Sequence, residues 1–293
     1  IKQEQENKLS LEEEIKKLSK SLNVTDGKGA SSVIGSGFKT EALKAALLNG
    51  ASGTFLEIDE GNQFGRGHPA VQMLPAVIAV AEEKKLSGKD LITALVAGYE
   101  IGTRIGIASK LRMSMHPHGV WGTVAAAVGL GKLLDYDQAA MKELISVSAS
   151  MTTATNRQTM LDGGTVRNIY SGMSSHNGLL AHYMIQSGLT GEKDGLNTVF
   201  SSVVSEEFNQ EAMIKDLGNY FEIGRNYFKR YACCRYNHSA LDATMEITGS
   251  LPDGRLDPDA IEKIDVWTYS LAAQLCGQEP DNMLAAKFSI PFA

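Results

Sequence analysis

The sequence has few of the residues on which cross-linked and nucleic-acid-binding proteins depend. It holds three cysteines in 293 residues, and two of them, Cys233 and Cys234, are adjacent. So sparse and odd a set is untypical of a disulfide framework and favours a reducing compartment, so we expect a cytoplasmic protein. Lysine and arginine (28) are outnumbered by aspartate and glutamate (34), which gives a net charge of -6. That balance argues against nucleic acid and anionic membranes as partners.

Long apolar runs and nucleotide-binding glycine loops are missing as well. The least polar stretch, residues 119–131, carries no charge but is shorter than the ~20 residues that a membrane-spanning helix needs. The sequence has no Walker-type loop, no Gly-x-Gly-x-x-Gly after a strand and no Gly-x-Ser-x-Gly nucleophile elbow. We therefore expect no membrane span, no nucleotide-binding loop of these types and no serine hydrolase of the elbow type.

Glycine and helical apolar spacing are what the sequence has in excess. It contains 29 glycines, more than the average of roughly 7%, whereas aromatic residues contribute only 7%. Small residues recur at helical spacing, so we expect helices that approach one another closely. The apolar pattern is helical from residue 10 to about 217. Within it we predict helices over about 68–85, 87–106, 119–134, 135–151 and 171–187.

The pattern changes after Gly218. Alternating residues predict strands at 220–223, 226–229 and 261–268, with a helix at 238–248 between them. We therefore expect a mainly α fold, with a large all-helical domain over 1–222 and a smaller α+β domain over 223–293. The apolar C-terminal residues have no polar tail, so we expect the chain to continue and the second domain to be incomplete.

The histidines are the first candidates for chemistry, because their side chains titrate near neutral pH. His68 follows Arg66 in a glycine-flanked loop, which suits either close approach of the backbone to a ligand or an ordinary helix N-terminus. His116 and His118 flank Pro117, but no cysteine or further histidine stands nearby at ligand spacing. We therefore expect no metal.

An acidic cluster, Glu57, Asp59 and Glu60, precedes His68 after an apolar helix that should be buried. Neighbouring carboxylates in a shielded site can have their pKa values pushed apart, which is one route to acid–base function. Cations that could grip carboxylates lie near the domain boundary. They are Arg157, Arg167, Lys229, Arg230 and Arg235. The pattern favours an anionic small molecule held by these cations and acted on by histidine.

Five collinear segments resemble the MmgE/PrpD family, whose members include 2-methylcitrate dehydratase, cis-aconitate decarboxylase and iminodisuccinate epimerase. They are residues 56–69, 86–104, 116–134, 172–191 and 228–243. The last, Phe-Lys-Arg-Tyr-Ala-Cys-Cys-Arg-Tyr-Asn-His-Ser-Ala-Leu-Asp-Ala, is the most specific, and residues 286–291 resemble the lid-domain signature of the family.

The resemblance implies a helical domain with an α+β lid, a homodimer, and an active site between the domains that uses neither an organic cofactor nor a metal. It implies removal of a proton beside a carboxylate of a small di- or tricarboxylate, followed by elimination, decarboxylation or reprotonation. The expected catalytic residues are Asp59, His68, His116 and Lys229. The expected substrate-binding residues are Glu57, Arg66, Arg167, Cys234 and His238.

Two positions depart from the decarboxylase pattern. Arg167 stands where the decarboxylase has an active-site lysine, and an arginine clamps carboxylates but is a poor proton donor. Cys234 stands where it has a lid histidine, and is either a base or acid or a small buried lid residue. The choice among dehydratase, decarboxylase and epimerase therefore stays open, and a non-catalytic helical binding protein is the alternative. The resemblance also implies that the usual first helix and the returning C-terminal helices are absent.

Overall fold

The computed structural model describes residues 2–24 and 28–293, with side chains from residue 12 onward. Its helices in these ranges are α1 Lys2–Ser21, α2 Ala42–Phe55, α3 Pro69–Lys84, α4 Gly88–Ala108, α5 Gly122–Leu133, α6 Gln138–Ser150, α7 Arg157–Leu161, α8 Tyr170–Gln186, α9 Gly195–Thr198, α10 Gln210–Ile214, α11 His238–Ser250 and α12 Met283–Lys287. The strands are β1 Ser31–Ser32, β2 Lys39–Thr40, β3 Glu60–Asn62, β4 Ser109–Leu111, β5 Ser205–Phe208 and β6 Asn226–Phe228. The fold is mainly α, as the sequence predicts.

Local sequence signals set the ends of the main helices. Ser87 and Asp90 form a reciprocal capping box that starts α4, in which each side chain binds the backbone N–H of the other residue. Gly188, with a φ of +82°, ends α8, and the N–H of Leu189 donates to the Met184 carbonyl at 3.1 Å. This is a Schellman stop, in which glycine adopts the left-handed conformation without steric cost.

Helix α5 forms the centre of the helical layer. All of its residues except Lys132 are buried. It packs against α3, α4, α6 and α8, and α2 completes the layer by packing on α3 and α8. Trp121, directly before α5, is fully buried. This arrangement gives the chain a large core built from alanine, valine and leucine, with few aromatic rings.

Glycines on α4 allow it to lie directly against α5. A Cβ atom at Gly98 would stand 2.6 Å from the carbonyl oxygen of Ala125, and one at Gly102 would stand 2.6 Å from the Ala125 Cβ. Neither distance is sterically tolerable, because the contacted atoms belong to the backbone or are fixed to it. The close helix approach that the sequence predicts is therefore confirmed.

Three antiparallel two-stranded sheets, β1–β2, β3–β6 and β4–β5, complete the described fold. Strand β6 confirms the strand predicted at 226–229. The strands predicted at 220–223 and 261–268 are wrong: Glu222–Arg225 is a single 3-10 turn, and 261–268 has no regular structure. Alternation becomes a strand only where a second strand supplies hydrogen bonds, and Trp267, 95% exposed, has no such neighbour among the described residues.

Among the described residues, one helix, α4, is long and apolar enough to cross a membrane by length and composition. More than half of its most apolar window is buried, against α3 and α5 among others. A buried core helix meets the same criterion, so this feature is weak support for a membrane span.

The glycine contact predicts a difference between two substitutions in the same helix. Gly98→Ala should lower the free energy of unfolding by about 1–3 kcal/mol, since the new methyl group overpacks the α4–α5 contact. Gly88→Ala, at the open first position of α4, should be neutral or slightly stabilising, because a Cβ there contacts nothing within 4 Å. Urea unfolding followed by circular dichroism measures both, and equal effects would contradict the packing explanation.

Candidate active site

A cavity of about 450 Å³ lies between the helical layer and the C-terminal part of the described chain. Its lining combines buried charge, three histidines and, from the C-terminal part, aromatic rings. The lining residues are Glu57, Asn62, Gln63, Arg66, Gly67, His68, His116, Pro117, His118, Arg157, Met160, Arg167, Tyr227, Lys229, Cys234, Arg235, Tyr236, Ser239, Tyr269, Leu271 and Phe288. The pairing of β3 with β6 brings residues 60–62 beside residues 226–228, so both halves of the chain build the cavity.

The Glu57 carboxylate is the centre of a buried ion-pair network, in which all four side chains are almost wholly shielded from solvent. The Lys229 Nζ lies 2.6 Å from Glu57 Oε2 and 2.9 Å from Asp59 Oδ1. The Arg167 guanidinium pairs with the other oxygen, Glu57 Oε1. Removing four charges from water is costly, and only their mutual attraction and hydrogen bonds offset that cost.

The backbone at the end of α2 directs Glu57 into this network. Helix α2 ends at Phe55, and Glu57 has a φ of +55°, in the left-handed region that non-glycine residues seldom adopt. The ion pairs of its side chain with Arg167 and Lys229 hold the residue in that conformation.

The network fixes the charge of its central pair. Burial alone would raise the pKa of Glu57, but Arg167 and Lys229 outweigh it and hold that pKa well below its usual range. Burial alone would lower the pKa of Lys229, but Glu57 and Asp59 outweigh it and raise that pKa above its usual value. Glu57 therefore remains a carboxylate and Lys229 an ammonium at neutral pH.

Glu60, three residues later, has the opposite character. Burial, with the nearby Asp59 charge, raises its pKa to about 8. Its Oε1 accepts hydrogen bonds from the N–H groups of Ala70 and Val71 at 2.6 and 3.2 Å, in the first turn of α3. Its Oε2 accepts one from the Tyr99 hydroxyl at 3.3 Å. The separation of carboxylate pKa values expected from the sequence is thus present in this cluster.

His68 is oriented so that one ring nitrogen is free to accept a proton. It stands immediately before α3, with its Nδ1 against the Glu60 carbonyl oxygen and 3.3 Å from Asp59 Oδ2. A carbonyl oxygen only accepts hydrogen bonds, so the hydrogen-bond pattern assigns the ring proton to Nδ1. Burial lowers the pKa of His68 despite Asp59, which raises it. The neutral ring therefore offers its Nε2 lone pair.

His116 has the complementary tautomer. Its Nδ1 accepts a hydrogen bond from the backbone N–H of His118 at 3.0 Å, so the proton of the neutral ring is on Nε2. Burial, and next the charge of Arg167, lowers the pKa of His116 well below its usual value. The cavity thus holds one acceptor nitrogen, His68 Nε2, and one donor N–H, His116 Nε2–H, that have no hydrogen-bond partner among the described residues.

Arg66 lines the cavity from an exposed position, in a left-handed conformation with a φ of +54°. The glycines on either side of it serve packing. A Cβ at Gly65 would stand 2.9 Å from the Thr103 side chain, and a Cβ at Gly67 would stand 2.5 Å from the ring of Trp121. Close approach of the backbone to other residues of the fold therefore explains these glycines.

Cys234 and His238, both expected to bind substrate, are packed mainly against other side chains of the fold. Cys234 lines the cavity but packs in a cluster with Met160 and Phe288, and burial raises its pKa to about 11. Its thiol stays protonated at neutral pH, which supports the interpretation as a small buried residue over that of a base. His238 lies outside the cavity lining, and its ring centroid is 5.1 Å from that of Tyr231.

Most of the site residues predicted from the sequence line the cavity. Glu57, Arg66, His68, His116, Arg167, Cys234 and Lys229 all line it, whereas Asp59 lies behind His68. Sequence reasoning placed neither His118 nor Tyr227 in the site. Tyr227 lies two residues before Lys229. Side chains two apart in an extended segment lie on the same face, so the alternating pattern at 226–229 could have predicted that Tyr227 lines the cavity with Lys229.

One group of side chains has the composition of a metal site. Among the described residues, Asp59, His68 and His118 place one ligand atom each within 4.8 Å of one another. The Lys229 ammonium, 2.9 Å from the other Asp59 oxygen, opposes a divalent cation at this position by charge repulsion. The charge of Lys229 therefore disfavours a divalent cation at this group.

The cavity as a whole is suited to an anion. Five of its lining residues are cationic, and Glu57 is the one carboxylate among the described residues that line it. The cations are Arg66, Arg157, Arg167, Arg235 and Lys229. The Nε atoms of Arg157 and Arg167 are buried without a hydrogen-bond partner among the described residues. Guanidinium groups with unused donors are well placed to bind carboxylates.

Two sequence profiles of one known family match this chain. The sequence profile of the MmgE/PrpD N-terminal domain matches residues 10–209. The chain belongs to the MmgE/PrpD family. The profile of the MmgE/PrpD C-terminal domain matches residues 231–293, so the gap between the two matches contains the boundary predicted near residue 222.

The MmgE/PrpD chain is also similar to curated fungal proteins. It is 27% identical over 288 residues to a cis-aconitate decarboxylase of Aspergillus terreus, covering 90% of this chain and 58% of that protein. It is 26% identical over 273 residues to the cis-aconitate decarboxylase-like protein oryM of Aspergillus oryzae, covering 86% of this chain and 56% of that protein. The chain therefore spans somewhat over half the length of these relatives.

The buried network predicts a large stability effect at Lys229. Lys229→Met should lower the free energy of unfolding by about 3–5 kcal/mol, because it leaves buried carboxylate charge without its partner. The matched control is Lys263→Met, which removes an exposed ion pair between Lys263 Nζ and Asp265 Oδ1, 3.0 Å apart. It should lower the free energy of unfolding by less than about 1 kcal/mol. Urea unfolding compares them, and a similar small loss in both variants would contradict the assigned role of the network.

Glu60 predicts a distinctive pH dependence. Between the ordinary carboxyl pKa of 4.5 and about 8, the folded protein holds one more proton at Glu60 than the unfolded chain. Its stability should therefore fall as pH rises from 5 to 8, by up to about 1.4 kcal/mol per pH unit. Glu60→Gln lacks this proton, so its stability relative to the parent protein should increase over the same range. Unfolding curves that shift in parallel for both proteins would contradict the raised pKa.

Proposed function

We propose that this protein is a cofactor-independent lyase or isomerase that transfers a proton at a carbon beside a carboxylate of a small di- or tricarboxylate. One observation carries the proposal: a cationic cavity holds the free Nε2 lone pair of His68 together with the Nε2–H donor of His116. A neutral base and a neutral donor in one shielded site are what such a transfer requires.

The charge of the cavity supports the substrate class. Of the five cationic side chains, Arg167 and Lys229 pair with Glu57. Arg66, Arg157 and Arg235 have no ion pair to a carboxylate in the described part of the chain and can bind carboxylates of the substrate. The names of the similar Aspergillus proteins refer to cis-aconitate, which is a tricarboxylate. We extend that class, and not the individual compound, to this chain.

The first chemical step follows from the two tautomers. The C–H proton passes to His68 Nε2, and the electron pair of that bond moves into the adjacent carboxylate to give an enediolate. Arg167 and Lys229 stabilise the added negative charge, and His116 Nε2–H donates a hydrogen bond to it. Asp59, 3.3 Å from His68 Nδ1, stabilises the imidazolium that has formed.

Three outcomes are open to this intermediate. Loss of a β-hydroxyl group as water, with the proton supplied by a donor in the site, forms a C=C bond and is dehydration. Return of a proton to the opposite face of the carbon is epimerisation. In an unsaturated acid the transfer runs in the other direction: His68, starting as an imidazolium, gives its Nε2 proton to one carbon of the C=C bond. Cleavage of the bond to a carboxylate then releases CO₂, and its electron pair forms a new C=C bond. Family membership favours a dehydratase or decarboxylase.

We further propose that the protein is a cytoplasmic homodimer.

NMR in heavy water tests the proposal against the rival function of a non-catalytic binding protein. Full-length protein is incubated with a panel of di- and tricarboxylates. Loss of water or CO₂ identifies a lyase, and deuterium incorporation without either loss identifies an isomerase. Neither exchange nor turnover with any member of the panel would contradict the enzymatic proposal.

Variants assign the roles of the histidines in the same assay. His68→Gln should reduce turnover at least about 100-fold, because the proton acceptor is lost. His176→Gln, at a half-buried histidine outside the cavity, is the control and should retain full activity. If the reaction begins with proton removal, kcat/KM should decline only below about pH 6.5 as His68 becomes protonated, because its pKa is lowered. Near-native rates in His68→Gln would show that another group is the base.

A further inference from the structure

His118 is a fully buried polar side chain of the cavity that the mechanism above does not use. It lines the cavity and has no solvent exposure. Neither its Nδ1 nor its Nε2 has a hydrogen-bond partner among the described residues. Since buried polar groups in folded proteins are almost always paired, a ring with both nitrogens unpaired is an exception that needs an explanation.

The position of the ring points to a ligand as the missing partner. Its centroid lies 5.0 Å from that of His68 and 4.8 Å from that of His116, with edge-to-face geometry in both pairs. Burial, and next the charge of Arg167, lowers the pKa of His118 well below its usual value. The ring is therefore neutral and offers one N–H donor and one acceptor lone pair beside the two histidines that transfer protons.

The loop that carries His118 is held rigidly. The Thr155 hydroxyl donates to the carbonyl oxygens of His116 and His118, at 2.9 and 2.5 Å. The His118 N–H donates to His116 Nδ1, so the residue that sets the tautomer of His116 also presents its own ring to the cavity. These bonds fix the backbone of the loop, and burial confines the ring, so little conformational entropy is lost when the ring binds a ligand.

We propose that His118 is a substrate-contacting residue whose neutral ring donates a hydrogen bond to a carboxylate oxygen of the bound substrate. The ligand class in this proposal rests on the proposed function. The contact adds no charge to a cavity already rich in cations. It fixes the substrate carboxylate where the reacting carbon lies between the acceptor of His68 and the donor of His116.

The test replaces His118 with leucine, which is similar in size and has no polar atoms. Isothermal titration of the full-length protein with propane-1,2,3-tricarboxylate, a saturated probe that cannot eliminate water, measures binding. His118→Leu should weaken binding at least tenfold while its Tm stays equal or rises, because two unpaired buried polar atoms are removed. A purely structural histidine would lower Tm instead. His118→Asn keeps a donor and should bind with intermediate affinity.

His182 provides the matched control. It is also a buried histidine, but its Nδ1 is hydrogen-bonded to the Tyr136 hydroxyl at 2.6 Å, outside the cavity. His182→Leu should lower Tm and leave the affinity for the probe unchanged. A ligand contact at His118 therefore predicts weaker probe binding without a lower Tm. A structural contact at His182 predicts a lower Tm without weaker binding.

The outcomes distinguish failure of this inference from failure of the proposed function. Probe binding by His118→Leu equal to that of the parent protein would overturn the role of His118 alone. Binding that is lost with a chelator and restored by Zn²⁺ would overturn it in favour of a metal ligand. A parent protein that binds no tricarboxylate and exchanges no substrate proton would overturn the proposed function and this contact with it.

Discussion

The bridge that Glu57 makes between Arg167 and Lys229 is the interaction on which the rest of the structure depends. Lys229 is 172 residues away in sequence, yet its ammonium is fully buried against Glu57. If Lys229 were removed while Glu57 and Asp59 stayed buried, these carboxylates would lose a partner that offsets the cost of their burial. The network therefore joins the helical layer to the C-terminal part at the cavity.

Most of the fold could be predicted from the sequence because helix signals are local. The Ser87 capping box and the Gly188 stop lie within a few residues of the ends that they determine, and α4 and α8 were predicted closely. Strands depend on partners that are distant in sequence. The alternating segment at 226–229 forms a strand because β3 pairs with it. The alternating segment at 261–268 pairs with no strand among the described residues and has no regular structure.

In the cavity, too, the residues could be predicted from the sequence, whereas properties that depend on distant partners could not. The acidic cluster, His68, His116 and Lys229 were predicted from segment resemblance, and the structure brings them together. No local pattern could show that His116 accepts from the backbone of His118, or that Glu57 and Glu60 have pKa values shifted in opposite directions. Those properties come from burial and from charges contributed by other elements, which a single sequence does not place.

The position of His68 at the start of α3 bears on how readily its ring returns to the neutral form in the proposed reaction. The N-terminal end of a helix carries roughly half a positive charge, which disfavours a cation beside it. Burial disfavours the same cation and is the main cause of the lowered pKa of His68, and Asp59 compensates only in part. In the proposed reaction, an imidazolium at His68 is therefore a short-lived species that gives up its proton readily to product or solvent.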